Sequence, residues 1–130
     1  MSRKVLFVLF TDDFCRSFHA FIWALDLKQH GHEVSIILEG PGTKHLSLLE
    51  PSSASSGLAE KFREVKAAGL LHGACKAASA GCGMGSTCGG PEPADLHGLA
   101  RTYGVQLLED VSGHANITPF IEQGYQVVTF

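Results

Sequence analysis

Six consecutive apolar residues, Val5 to Phe10, stand near the start of the chain and run directly into Thr11-Asp12-Asp13. An unbroken run of that kind is the pattern of a parallel strand covered on both faces, and the polar triplet supplies a turn and a helix N-cap. Phe14, Phe18, Phe21, Ile22 and Leu25 then recur at helical spacing, and Gly31 sits where a glycine ends a helix, so the pattern predicts a helix over 14–30. Glu33 to Leu38 returns to a β-branched apolar run closed by Gly40-Pro41-Gly42. Residues 43–57, with Pro51, the serines between 52 and 56 and Gly57, read as a loop with room for one helical turn around His45 to Leu49.

Ser56 can cap a second helix whose Leu58, Phe62 and Val65 share a face and which Gly69 ends. Leu70 to Ala74 is the third strand, delivering Cys75 at its carboxyl end, and a small-residue, glycine-rich stretch follows to Gly90. Pro91 and Pro93 lead into a helix over 94–102, Val105 to Leu108 is a fourth strand, Thr118-Pro119 starts a short helix to Gln123, and Tyr125 to Phe130 is a fifth strand. Strands alternating with helices in this way predict one three-layer α/β/α domain over residues 1–130, built on a mostly parallel, five-stranded, doubly wound sheet.

Composition narrows the function classes. At 130 residues, with a hydrophobic fraction of 45% and a charged fraction of 18%, the chain suits one domain with a proper core. A net charge of −3 and no cluster of Lys or Arg argue against nucleic acid as the partner. No apolar stretch approaches bilayer length, and Val5 to Phe10 is too short for a signal-peptide core, so the expectation is a soluble, cytoplasmic protein with no membrane partner. Thiols stay reduced in that compartment, which makes the four cysteines catalytic, redox-active or metal-binding rather than a structural disulfide set.

In open parallel sheets ligands bind outside the carboxyl ends of the strands. The loops there, 11–15, 39–45, 75–92 and 109–116, hold Asp12, Asp13, Cys15, Cys75, Cys82, Cys88 and His114. Cys75 stands between strand and helix, where helix amides can favour the thiolate that attacks or carries sulfur; the bland alternative is a small buried core residue. Cys82 and Cys88, set among glycines, are candidate second thiols or ligands, and His114 is a candidate acid–base partner. Cys75, Cys82 and Cys88 with His72 or His114 could instead furnish four metal ligands, although the spacing lacks any C-x-x-C pair, and an iron–sulfur cluster would need Cys15 as well. Asp12 and Asp13 are better explained as cap and dipole partner than as a catalytic carboxylate pair. Gly40-Pro41-Gly42-Thr43-Lys44 lacks the P-loop frame, Gly81-Cys82-Gly83-Met84-Gly85 is not G-x-G-x-x-G, and no G-x-S-x-G elbow occurs. No cofactor is therefore expected.

Taken together, KVLFVLFTDD, the helix ending LKQHGHEVSIILEG, the cysteine in LLHGACKAA and the closing GYQVVTF resemble the DsrE/DsrF family of small sulfur-relay proteins across nearly the whole chain. The resemblance implies a five-stranded α/β/α domain that assembles into oligomers, and sulfane sulfur carried as a persulfide on the matching cysteine, Cys75. It also implies sulfur donors and acceptors, proteins or small persulfides, as partners. Two departures stand out: His72 occupies the place where many relatives have a second cysteine, and the turn after Cys75 is replaced by the longer GCGMGSTCGG with Cys82 and Cys88. Those two thiols could resolve a persulfide, pair with Cys75 or bind metal.

The first helix carries an apolar arc, Phe14, Phe18, Phe21, Ile22, Trp23 and Leu25, wider than the ~100° a covering helix needs. Part of it is expected to meet a second copy of the chain, with Trp23 as anchor, or else to be covered by the 43–57 segment.

Overall fold

A computed structural model of the chain describes residues 2–53, 56–80 and 95–130. Five strands form one all-parallel sheet: β1 (Lys4–Leu9), β2 (Glu33–Leu38), β3 (Leu71–Cys75), β4 (Leu107–Leu108) and β5 (Gln126–Thr129). Their spatial order is β4-β3-β2-β1-β5. The chain therefore steps outward from β1 to β4 in one direction and then returns past β1 to lay down β5. Right-handed crossovers make every step in one direction deposit its helix on the same face. Hence α1 (Phe14–Gln29), α2 (Gly57–Ala67) and α4 (Leu96–Thr102) share one layer, and among the described residues α5 (Thr118–Glu122), on the return crossover, is the helix packed on the other.

The two cores follow from strand alternation. Val5, Phe7 and Leu9 of β1 point into the thick layer with Ile36, Leu38, Phe21 and Phe62. Leu6 and Val8 point the other way, with Ile37, Leu108 and Phe120. Phe21 and Phe62 are fully buried with ring centroids 5.3 Å apart, and burying each contributes roughly 1.5–3 kcal/mol. The caps are those the sequence predicts: Asp13 accepts from the Arg16 amide at 2.9 Å and Ser56 from the Ala59 amide at 2.9 Å.

Three local features depart from the sequence pattern. The helical turn expected around His45 to Leu49 is part of a longer 3-10 helix, Gly40–Leu49, followed by a second, Pro51–Ser53, where a loop was expected, and the first packs into the thick core through Leu46 and Leu49. It can lie so close to the sheet because residue 42 has no side chain: a Cβ there would collide with the Leu9 carbonyl oxygen. The fourth strand shrinks to two residues. A short helix, α3 (Lys76–Ser79), begins immediately after Cys75.

Candidate functional site

Three elements converge at the carboxyl edge of β2 and β3. Cys75 ends β3 and is fully buried. Glu39 follows β2, where its backbone N–H continues the ladder by donating to Leu9 at 2.9 Å and its side chain accepts from the Gly40 amide at 3.0 Å. His114 arrives from beyond β4 on a tight hairpin. Ser112 and Gly113 both have positive φ, 50° and 85°, the signature of a type I′ turn, and Val111 and His114 exchange backbone hydrogen bonds of 3.1 and 2.8 Å across it. The Gly113 carbonyl then accepts from the Ala77 amide at 3.0 Å, pinning the turn to the first residues of α3.

That pin brings His114 Nδ1 to 3.2 Å from Cys75 Sγ. A carboxylate oxygen of Glu39, the thiol sulfur and a ring nitrogen of His114 all lie within 4.8 Å of one another. The sulfur also accepts from the Ala78 amide at 3.4 Å, and the Ser79 hydroxyl donates to the Cys75 carbonyl at 2.7 Å. Burial pushes the Cys75 thiol up from its ordinary value, and the adjacent Glu39 carboxylate pushes it further, while the Ala78 and Ala115 amides pull it down. The helix-amide contact expected of a thiolate site is present, yet desolvation and the neighbouring carboxylate outweigh it, so the resting group is a neutral thiol.

His114 forms part of the wall of a cleft of about 490 Å³, together with Lys76, His97, Glu109 and Ser112. Lys76 and Glu109 pair at 2.8 Å on its exposed side, and His97 Nε2 lies 2.9 Å from the Lys76 carbonyl, fixing α4 against α3. The imidazole thus stands at the boundary of this cleft and in contact with the buried thiol.

The other described candidates fall elsewhere. Cys82 and Cys88 lie outside the described residues. His72 is the extra residue where the β2–β3 register slips between Ile36 and Ile37, and its exposed ring packs edge-on against Phe120, in the thin layer. Asp13 is the α1 cap and Asp12 pairs with Lys44 at 3.5 Å, so the adjacent carboxylates do not act as a pair. Cys15 is exposed in the first turn of α1, its sulfur 3.7 Å from His19 Nδ1. Glu39 escaped the sequence reading; the available signal was an acidic residue placed directly between an apolar strand and a Gly-Pro-Gly turn on the ligand edge.

Fold and site together define an all-parallel α/β protein with a thiol, an imidazole and a carboxylate gathered at the carboxyl edge of its sheet. Compared with family models, with curated proteins and with solved structures, the chain finds no match in any of the three. No helix among the described residues is long and apolar enough to cross a membrane.

Proposed function

We propose that this protein is an intracellular sulfur carrier or sulfurtransferase that holds sulfane sulfur as a persulfide on Cys75. The observation that carries the reading is the 3.2 Å contact between Cys75 Sγ and His114 Nδ1 at the ligand edge of the sheet. The resemblance of the chain's layout to the DsrE/DsrF family supports it from a separate direction.

In the transfer step His114 takes the Cys75 proton as the sulfur attacks the outer sulfur of a donor persulfide. The donor's S–S bond breaks, a new S–S bond forms on Cys75, and the proton passes from His114 to the departing donor thiolate. No electrons are gained or lost overall, since one persulfide and one thiol become another persulfide and another thiol. Transfer to an acceptor thiol is the same exchange run outward. The Glu39 carboxylate keeps Cys75 protonated between turnovers and steadies the imidazolium while His114 holds the proton. Cys82 or Cys88 would serve as the resolving or relay thiol. Such chemistry belongs in the cytosol, where thiols stay reduced.

Incubation with a small-molecule persulfide followed by intact mass measurement tests this. A gain of one sulfur atom, lost in Cys75→Ser and slowed in His114→Ala, is expected. Absence of the adduct, or an undiminished adduct in Cys75→Ser, overturns it.

The same reading includes a homo-oligomer joined through α1. Phe14 and Trp23 are 60% and 51% exposed, and the Trp23 indole is flanked by His19 and Phe130 and left uncovered on its outer side. Light scattering that gives a monomer at micromolar concentration, with Trp23 fluorescence unchanged on dilution, would refute this part.

A further inference from the structure

We infer that Glu39, Cys75 and His114 form a binding site for one zinc ion. This goes beyond the sulfur-carrier reading, and only its regulatory consequence, given below, rests on that reading.

The donors come from three separate stretches of chain, after β2, at the end of β3 and after β4, so their convergence is a product of the fold and not of sequence adjacency. Zinc bonds of 2.0–2.3 Å in a tetrahedron place neighbouring ligand atoms about 3.3–3.7 Å apart. The Cys75 Sγ to His114 Nδ1 separation is 3.2 Å, and no separation among the three ligand atoms exceeds 4.8 Å. Closing the widest edge therefore asks for a shift of roughly 1 Å, within the reach of side-chain rotation on a fixed backbone.

The chemistry of the donor set selects the ion. A thiolate, a neutral imidazole and a carboxylate suit a borderline-soft dication; magnesium and calcium want oxygen ligands throughout. Thiolate and carboxylate together carry two negative charges, which one dication neutralises. Among the described residues, the lysines that form salt bridges pair with other carboxylates, Lys44 with Asp12, Lys61 with Glu64 and Lys76 with Glu109, and Glu39 is in none of these pairs. Outer-shell support is already built: the Gly40 amide donates to one Glu39 oxygen, and the Ala78 amide donates to the sulfur. Three protein ligands leave a fourth position for water or another donor.

Occupation would engage both the Cys75 sulfur and the His114 ring, so metal and persulfide exclude each other. On the sulfur-carrier reading, zinc is then a reversible block on sulfur uptake.

The test is a titration of reduced, metal-free protein with Co²⁺ and then Zn²⁺, followed by absorption. One cobalt per chain is expected, with a thiolate-to-cobalt charge-transfer band and the strong visible bands of four-coordination, both abolished by zinc. Cys75→Ser should remove the charge-transfer band, and Glu39→Gln and His114→Gln, checked for native circular dichroism, should each weaken binding by tenfold or more. The double variant Cys82→Ser/Cys88→Ser should retain the charge-transfer band. No binding overturns the inference; so does a band that survives Glu39→Gln and His114→Gln but vanishes in the double variant, which would put the ion on the glycine-rich stretch. Persulfide uptake measured on the same metal-free protein separates the two readings, because the metal site can fail while sulfur uptake succeeds, and the reverse.

Discussion

Replacing Glu39 by Gln removes one negative charge beside Cys75 and leaves nearly everything else in place, because the Gln carbonyl can still accept from the Gly40 amide at the position where the carboxylate does so at 3.0 Å. Thiolate and carboxylate at their widest separation of 4.8 Å repel by about 3.5 kcal/mol at an effective dielectric of ~20, and by half that if water doubles the screening. At about 1.4 kcal/mol per factor of ten, the thiolate population near neutral pH should rise at least tenfold. The assay is the rate of alkylation by iodoacetamide as a function of pH, in a background where Cys15, Cys82 and Cys88 are serine so that only the Cys75 thiol reacts. A thiolate is the reacting form, so Glu39→Gln should move the midpoint of the profile to lower pH and raise the neutral-pH rate by that factor, while the plateau at high pH stays put. A plateau that rises with an unmoved midpoint would mean that the substitution merely opens the buried site. A profile identical to the parent would refute the placement of the carboxylate charge beside the sulfur.

Gly42→Ala should cost about 3 kcal/mol, the upper end for overpacking, because the new methyl collides with the Leu9 carbonyl; urea denaturation reads the loss, and alkylation of Cys75 should accelerate as Glu39 is displaced with its turn. His45 is packed between Phe21 and Phe62 with Nδ1 on the Gly42 carbonyl at 2.7 Å, and burial holds it below its ordinary 6.5 despite that bond and the Asp12 charge. A depressed folded-state value means stability is full above about pH 6.5 and is lost as pH falls through the folded-state value, so the urea midpoint should drop between about pH 7 and pH 5. His45→Asn, whose amide can reach the same carbonyl, should reduce that slope, His72, also held low by burial, supplying a remainder of the same sign.

The order of elements was legible because the apolar runs are long and cleanly punctuated. Val5 to Phe10 meets two aspartates, and Gly31, Gly69, Gly104 and Gly124 each end a helical turn at positive φ. Cys75 was legible for the same reason, since a thiol at the end of an apolar run must reach the carboxyl edge. The site as a cluster was not. His114 meets the sulfur only because a Ser-Gly turn hydrogen-bonds to Ala77, a contact between residues thirty-six apart for which no local pattern speaks. Glu39 belongs to the site through strand adjacency, and adjacency in a parallel sheet is fixed by crossover geometry rather than by neighbouring sequence. The 43–57 segment was legible only in part, for a different reason. Pro51, Gly57 and the serines are turn-formers one by one, yet Leu46 and Leu49 bury a face, and tertiary packing extends the expected turn into a 3-10 helix over Gly40–Leu49.

The sheet order also dictates a sequence of events in time. Val5 to Val8 of β1 pair on one side with β2, and on the other with residues 126–129, more than a hundred positions later. As the chain emerges from the ribosome, β1, β2 and β3 can zip together while the far edge of β1, among the most apolar segments of the protein, waits with its amides and carbonyls unpaired. Until β5 arrives to close that edge, the nascent protein presents a ready template for any passing strand. The price of a fold that finishes where it began is a long exposure during synthesis.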